Sequence, residues 1–268
     1  MAETRIQVLS DLHLETPATY DIFTIPPHSP TLALLGDIGY VQDAGFFEFL
    51  QQQLSNFRLV LFVLGNHEPY HSNWTDVKTR LGRFSDDMQK WFLEGKIAGE
   101  FIVLDQTRYD ISPSVTILGC TLFSGITSEQ TQSVSYGLND FYLIEDWSVD
   151  LHCRAHYADL SWLNEQVELI SRLEPARKII ILTHHSPCTN EETIDPKHKG
   201  SSISSGFATD LSREPCWTNQ NVTVWAFGHT HFNCDFQDAK TGKRVVSNQR
   251  GYYFAQAAGF DSQKVVTV

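Results

Sequence analysis

The sequence predicts an α/β fold, and two patterns along the chain support that prediction. Short apolar runs rich in β-branched residues alternate with longer segments in which apolar residues recur at helical spacing. Such alternation is typical of chains whose strands are joined by helices. The length of 268 residues is enough to bury a sizeable core, and we expect a single domain over residues 1–268.

The predicted elements follow one another along most of the chain. Strands are predicted at residues 6–9, 31–35, 59–64, 101–104, 115–118, 179–182, 222–227, 244–246 and 265–268. Helices are predicted at residues 43–56, 74–95 and 157–173. Two stretches, at about 124–156 and 186–221, show neither pattern. Because structureless connections of this length inside a domain are usually functional, we expect both to be long active-site loops.

The composition describes a folded, acidic chain. Twenty basic residues against 32 acidic ones give a formal net charge of −12. The average surface therefore repels a phosphate backbone, and we do not expect nucleic acid as a partner. No apolar run approaches the length of a membrane span, and five scattered cysteines without a C-x-x-C pair suggest reduced thiols. These features predict a cytoplasmic protein with no membrane partner.

Polar side chains follow five of the predicted strands. The segments are SDLH at 10–13, GD at 36–37, GNHE at 65–68, THH at 183–185 and GHTH at 228–231. Open α/β sheets assemble their sites at the carboxyl ends of their strands. Residues two apart in an extended chain project to the same side, so Asp11 pairs with His13 and His229 pairs with His231.

Seven of these side chains offer oxygen or nitrogen donors to a metal. They are Asp11, His13, Asp37, Asn66, His184, His229 and His231. The set contains no thiolate and exceeds the four ligands of a structural zinc site. It therefore predicts two divalent ions, Mn²⁺ first and otherwise Fe, Zn²⁺, Ni²⁺ or Mg²⁺, with coordination positions left open for water and substrate.

Taken in order, the segments DLH, GD, GNHE, THH and GHTH resemble the motif set of the calcineurin-like metallophosphoesterase superfamily. LNDF at 138–141 and NQRGY at 248–252 resemble single-domain members of that group. The resemblance implies a four-layer sandwich in which two mixed β-sheets pack face to face and helices cover both outer faces. It also implies a dinuclear metal centre at one sheet edge.

The resemblance further implies a role for each donor. One ion would be held by Asp11, His13 and His231, the other by Asn66, His184 and His229, with Asp37 as the bridge. His67 matches the family position that stays off the metals and acts as general acid or transition-state stabiliser. Asp37 and His67 are thus the catalytic candidates.

These assignments predict a metal-dependent phosphoesterase acting on a small phosphate ester, either a monoester, a diester or both. Attack by a metal-bridging hydroxide is the expected mechanism, because two ions lower the pKa of a shared water and clamp the phosphate oxygens. Two alternatives stay open. One is a catalytically silent binding scaffold of the same fold, and the other is a nuclease on the same metal centre, which the negative net charge disfavours.

Three points depart from the family pattern or leave a choice. Tyr40 stands where many relatives carry a second acid after the Gly-Asp segment. Of the adjacent imidazoles, His184 is taken as the ligand and His185 as a residue behind it or a substrate contact, although the two can exchange roles. Arg213 and Arg250, and also Arg108, are candidates for gripping a substrate phosphate.

Overall fold

The computed structural model describes residues 3–268. Its strands are β1 (Arg5–Leu9), β2 (Thr31–Leu35), β3 (Leu59–Val63), β4 (Glu100–Val103), β5 (Thr107–Ser112), β6 (Val115–Cys120), β7 (Lys178–Thr183), β8 (Val222–Phe227), β9 (Cys234–Gln237), β10 (Arg244–Ser247), β11 (Gly251–Tyr252), β12 (Ala255–Gln256) and β13 (Val265–Thr267). Its helices are α1 (Ala44–Asn56), α2 (Trp74–Leu93), α3 (Thr131–Gly137), α4 (Asp140–Leu143), α5 (Val149–Leu173) and α6 (Pro215–Thr218). Short 3₁₀ turns lie at Pro196–His198 and Ser204–Gly206.

The strands form two mixed sheets and a small hairpin. The first sheet has the order β13-β1-β2-β3-β4, and the second has the order β5-β6-β7-β8-β10-β9. In each sheet the central strands are parallel, while β13, β5 and β9 pair antiparallel at the edges. Among residues 3–268, strands β11 and β12 pair only with each other.

Alternation along the central strands creates two buried faces on each sheet. In β2, Ala33 and Leu35 join a cluster that also contains Ile180 and Leu182 of β7, so these side chains fill the space between the sheets. The intervening Leu34 belongs to a different cluster, shared with the helices. Because successive side chains of a strand point to opposite faces, strands buried on both faces read as continuous apolar runs.

Helices cover the outer face of each sheet. Buried residues of α1 and α2, such as Phe49 and Leu81, pack on the outer face of the first sheet. Leu163 and Val167 of α5 pack on the outer face of the second sheet. The α/β class and the four-layer sandwich expected from the sequence are therefore confirmed.

Two edge strands and the start of one helix were not predicted. Strand β5 carries charged residues and is mostly half-buried, and β9 alternates between half-buried and exposed positions. Such edge strands lack the apolar signal of central ones. Helix α5 begins at Val149 instead of residue 157, after a Ser148 side chain that accepts a hydrogen bond from the Leu151 N–H. Its first turns bury His152 and His156, so polar residues on the buried face hid the helical pattern.

The two stretches predicted as long loops contain short elements. Residues 124–156 include α3, α4 and the first turns of α5, and residues 186–221 include both 3₁₀ turns and α6. Within residues 3–268, no helix is both long enough and apolar enough to cross a membrane. That one domain spans residues 1–268 stays a prediction.

Candidate metal centre

The candidate ligands lie where parallel strands of both sheets end. Asp11 and His13 follow β1, Asp37 follows β2, Asn66 follows β3, His184 follows β7, and His229 and His231 follow β8. These are adjacent parallel strands in the two sheets, and the sheets pack face to face, so the two sets of strand ends meet.

Five of these residues adopt a backbone conformation that is unusual for residues other than glycine. Their φ angles are 52° for Asp11, 47° for His13, 53° for Asp37, 71° for His229 and 50° for His231. Each residue in the left-handed region costs on the order of 1–3 kcal/mol, which the surrounding structure must offset. Strain concentrated in one set of convergent side chains is typical of a functional site.

Asp11, His13 and His231 form the first ligand group. The His13 Nε2 atom lies 2.9 Å from the His231 Nε2 atom, and the latter lies 3.3 Å from Asp11 Oδ1. One donor atom from each of the three residues falls within 4.8 Å of the others. This is the trio that the family resemblance implies for one ion.

Asn66, His184 and His229 form the second ligand group. The His184 Nε2 atom lies 3.0 Å from Asn66 Oδ1 and 3.4 Å from Asp37 Oδ1. Donor atoms of Asp37, His184 and His229 fall within 4.8 Å of one another. The other oxygen of Asp37, Oδ2, lies 3.9 Å from His13 Nε2 in the first group. Asp37 thus stands between the two groups.

His13 and His184 present neutral imidazoles, the form that binds a metal. Burial lowers the pKa of His13 and of His184 to about 4, so both rings are neutral at neutral pH. His13 Nδ1 donates to Glu15 at 3.1 Å and His184 Nδ1 donates to the Leu35 carbonyl at 2.7 Å. Each Nε2 atom is therefore left with a free lone pair. Among the described residues, the buried His229 Nε2 atom has no hydrogen-bond partner. A divalent ion fits this set of donors.

Asp37 and Asp11 are buried carboxylates that repel each other. Burial first, and then the charges of Glu68 and Asp11, raise the pKa of Asp37 well above its usual range. Burial works against the Asp11 carboxylate as well, but His231 and the neighbouring imidazoles bring its pKa below the usual value. Divalent cations would relieve the repulsion between Asp37 and Asp11.

Glu68, the last residue of GNHE, binds backbone N–H groups at the ends of two strands. Its carboxylate accepts hydrogen bonds from the N–H groups of Gly65 at 2.7 Å, Ile38 at 2.8 Å and Asp37 at 3.0 Å. It therefore ties the end of β2 to the end of β3. Burial raises its pKa to about 7, although these backbone donors favour the charged form.

Asn66 is oriented by a residue that lies far along the chain. Its Nδ2 group donates to Asp140 Oδ1 at 2.8 Å, and Tyr70 donates to the same oxygen at 2.7 Å. This contact turns the Asn66 carbonyl oxygen towards His184. Asp140 belongs to the LNDF segment, whose role the sequence did not reveal.

His67 borders the centre without joining either ligand group. Its Nε2 atom lies 3.9 Å from Asp37 Oδ2, and its Nδ1 atom lies 3.0 Å from Glu15 Oε1. Donor atoms of His13, Glu15 and His67 also fall within 4.8 Å of one another. We interpret that trio as a hydrogen-bonded cluster and not a third metal site, because the same Glu15 oxygen accepts from both Nδ1 atoms.

Glu15 and Tyr252 are site residues that the sequence reasoning missed. Hydrogen bonds from His13 and His67 outweigh burial and lower the pKa of Glu15 to about 2. The Tyr252 ring stacks on His13 at a centroid distance of 4.2 Å, and its hydroxyl lies 3.3 Å from His67 Nε2. The two-residue spacing from His13 to Glu15 and the NQRGY segment were the available signals.

The structure places the remaining candidates for substrate contact in different surroundings. His185 is fully buried behind His229, with ring centroids 4.1 Å apart. Arg250 is buried, donates to the Leu12 carbonyl at 2.8 Å and lies over the Phe23 ring. Arg213 is exposed. Arg108 is paired with Asp110 and Glu174. No contact of these residues supports a phosphate-gripping role.

Comparison with known proteins gives a consistent family assignment. The model of the family described as calcineurin-like phosphoesterase matches residues 4–233. An uncharacterized protein of Acanthamoeba polyphaga mimivirus is 28% identical over 265 residues, which cover 92% of this chain and 91% of the viral protein. The crystal structure of a phosphopantetheinyl hydrolase from Mycobacterium tuberculosis is similar, with a TM-score of 0.65 and 17% identity over 94% of this chain and 90% of that one. At 17% sequence identity, this structural similarity shows a shared fold.

Proposed function

Because the chain belongs to the calcineurin-like phosphoesterase family, we propose that it hydrolyses small phosphate esters at a dinuclear centre formed by the two ligand groups and Asp37. Family membership supports metal-dependent hydrolysis of a phosphate ester in general. The observation that carries the specific proposal is the convergence of two ligand groups on the two oxygens of Asp37. Mn²⁺ is the first ion to test, since mixed oxygen and nitrogen donors without thiolate suit it.

Each residue has a distinct role in this proposal. Bound divalent ions would supply positive charge for the phosphate oxygens and an acidified water as nucleophile. His67 would protonate the departing alcohol through Nε2, the ring nitrogen nearer Asp37. Glu15, which accepts a hydrogen bond from His67 Nδ1, would stabilise the protonated ring and fix its orientation.

A small phosphate ester is the expected partner, nucleic acid is not, and a cytoplasmic location is consistent with five free cysteines. The structural similarity to a phosphopantetheinyl hydrolase adds a phosphopantetheinyl ester to the substrates worth testing.

The test is hydrolysis by protein of known metal content. Protein reconstituted with Mn²⁺ should cleave p-nitrophenyl phosphate or bis(p-nitrophenyl) phosphate, and protein stripped by a chelator should not. If protein holding two ions per chain cleaves no monoester or diester of a broad panel, the silent scaffold is the better interpretation. Cleavage of oligonucleotides without cleavage of small esters would favour the nuclease.

A further inference from the structure

A cavity of about 500 Å³ lies between the two stretches that the sequence predicted as loops. We call it the loop cavity. Thr127 and Gln130 line it from the first stretch, and Ile194, Ile203, Phe207 and Ala208 line it from the second. A phosphate group alone is far too small to fill such a space.

The loop cavity adjoins the second ligand group. The ring of Phe207 stacks on the ring of His229, with centroids 4.9 Å apart and an interplanar angle of 25°. Thr230, which also lines the cavity, stands between His229 and His231 in the chain. None of the candidate ligands lines the cavity itself. A substituent of a phosphate held at the metal centre would reach this space past Phe207 and Thr230.

The polar groups of the lining are largely engaged within the protein. Thr209 Oγ1 accepts from the Gly125 N–H at 2.8 Å, and Ser205 Oγ accepts from the Thr127 N–H at 3.3 Å. The Gln130 carboxamide oxygen accepts from the Ser205 N–H at 2.8 Å. What remains for an occupant is mainly the surface of Ile194, Ile203, Phe207 and Ala208.

The charges around the cavity disfavour an anionic occupant. Its ionisable lining residues are Asp195, His198 and Asp210, and the described lining contains no lysine or arginine. The nearby Lys197 and Lys199 are paired with Asp195 and Glu191. Arg213 and Lys240 lie close enough to interact electrostatically with Asp210, but neither lines the cavity. A second phosphate or a carboxylate in this space would lie beside carboxylates with no lysine or arginine in the described lining.

The loop cavity and His67 would contact different substituents of the phosphorus atom. The ring of His67 contacts Glu15, Tyr70 and Tyr252, and neither these residues nor His67 itself line the cavity. The group that His67 protonates is thus distinct from the group beside His229. A substrate that uses both places must carry two ester substituents.

On the basis of the proposed function, we infer that the substrate is a phosphodiester whose retained ester group is neutral and mainly apolar and occupies the loop cavity. Hydrolysis of such a diester consumes one water, forms a P–O bond to the water oxygen and breaks the bond to the other alcohol. The proton goes to the departing oxygen. The products are an alcohol and a phosphomonoester that keeps the apolar group.

The first experiment varies the retained group and keeps p-nitrophenolate as the leaving group. With Mn²⁺-loaded protein, phenyl p-nitrophenyl phosphate should show a kcat/KM about tenfold or more above that of methyl p-nitrophenyl phosphate. A 4-carboxyphenyl diester of the same shape should lose that gain. Equal values for methyl and phenyl diesters, or a preference for p-nitrophenyl phosphate over both, would overturn the inference.

Variants of the lining residues test whether the preference for the phenyl diester arises in the loop cavity. Ile203→Trp should fill the space and reduce the phenyl-to-methyl ratio of kcat/KM about tenfold, with Ile194→Trp as the second variant if Ile203→Trp does not fold. Ile22→Trp is the matched control, since Ile22 is exposed and outside the cavity. A ratio unchanged in both cavity variants would count against the loop cavity.

A binding measurement separates this inference from the proposed function. Metal-free protein should broaden the ¹⁹F NMR signal of 4-fluorobenzyl alcohol, a neutral apolar probe, and Ile203→Trp should abolish the broadening while Ile22→Trp keeps it. If no ester is hydrolysed but this binding pattern is found, the proposed function fails while the cavity retains its chemistry. If esters are hydrolysed but wild-type protein does not bind the probe, the cavity inference fails alone.

Discussion

The first and second ligand groups hold their histidines by different means. In the first group, His13 donates to the carboxylate of Glu15 and stacks on Tyr252. In the second, His184 donates to the neutral carbonyl of Leu35. A carboxylate partner makes an imidazole a stronger ligand than a carbonyl partner does.

The two groups also differ in charge. The first contains the Asp11 carboxylate and rests on that of Glu15, whereas Asn66, His184 and His229 contribute no negative charge to the second. Only the shared Asp37 supplies an anion to both. We therefore expect the ion in the first group to bind more tightly and the ion in the second to leave first on dilution or chelation.

Removing the shared carboxylate should have the largest effect. We expect Asp37→Asn to lose both ions and to reduce kcat/KM to about one-thousandth or less, because a metal centre supplies several kcal/mol of charge stabilisation. Metal content by mass spectrometry and hydrolysis assays measure this. Asp21→Asn, the same change at an exposed position, should behave as wild type. Two ions retained in Asp37→Asn would contradict a bridging role.

Replacing His67 should separate catalysis from metal binding. His67→Gln should keep two ions and lose about 10²- to 10⁴-fold in kcat for esters of poorly acidic alcohols, since those leaving groups need a proton. The loss should be smaller for p-nitrophenyl esters, whose leaving group departs as an anion. His28→Gln at an exposed position is the control. Loss of metal in His67→Gln would assign this residue to the ligands instead.

Neutralising Glu15 should weaken one ion and spare the other. Glu15→Gln should reduce affinity for the tighter ion about ten- to hundredfold, as removal of a carboxylate behind a ligating histidine usually does. Titration of metal-free protein by calorimetry should show two binding steps whose affinities are closer to each other than in the wild type. Glu48→Gln, an exposed change of the same kind, should leave both steps in place. Equal weakening of both ions would remove the distinction between the groups.

The smallest effect should come from the hydroxyl of Tyr252. Tyr252→Phe keeps the ring that stacks on His13 and removes the hydroxyl 3.3 Å from His67 Nε2. We expect kcat to fall about three- to tenfold, which matches the loss of one hydrogen bond, with metal affinity unchanged. Tyr253→Phe, one residue further along the same hairpin, is the control. A large loss of metal in Tyr252→Phe would show that the hydroxyl supports the first ligand group.

The strand-end residues were predictable because their signal is local. Each candidate ligand follows a continuous apolar run, and such a run is visible in the sequence because a strand buried on both faces is apolar at consecutive positions. The supporting residues had no such signal. Glu15 lies 52 positions from His67, Asp140 lies 74 positions from Asn66 and Tyr252 lies 185 positions from His67. No periodicity connects positions so far apart.

Contacts between distant segments also decide where the Arg250 side chain points and where helix α5 begins. Arg250 lies three residues after the end of β10, and its guanidinium group donates a hydrogen bond to the Leu12 carbonyl and lies over the Phe23 ring. In α5, His152, His156 and Asp159 occupy the buried face, because the second sheet's loop presents polar partners such as the Leu122 backbone. Their burial depends on those partners and not on their hydrophobicity.

The α/β class of the fold, the positions of the central strands and the choice of candidate metal ligands could be predicted from the sequence, since apolar runs and their polar ends are properties of neighbouring residues. Which imidazole nitrogen faces which carboxylate was decided by tertiary structure. So were the position of Asp37 between two groups, the pairing of Glu15 with two histidines and the space beside His229. These depend on contacts between segments that only the packing of two sheets brings together.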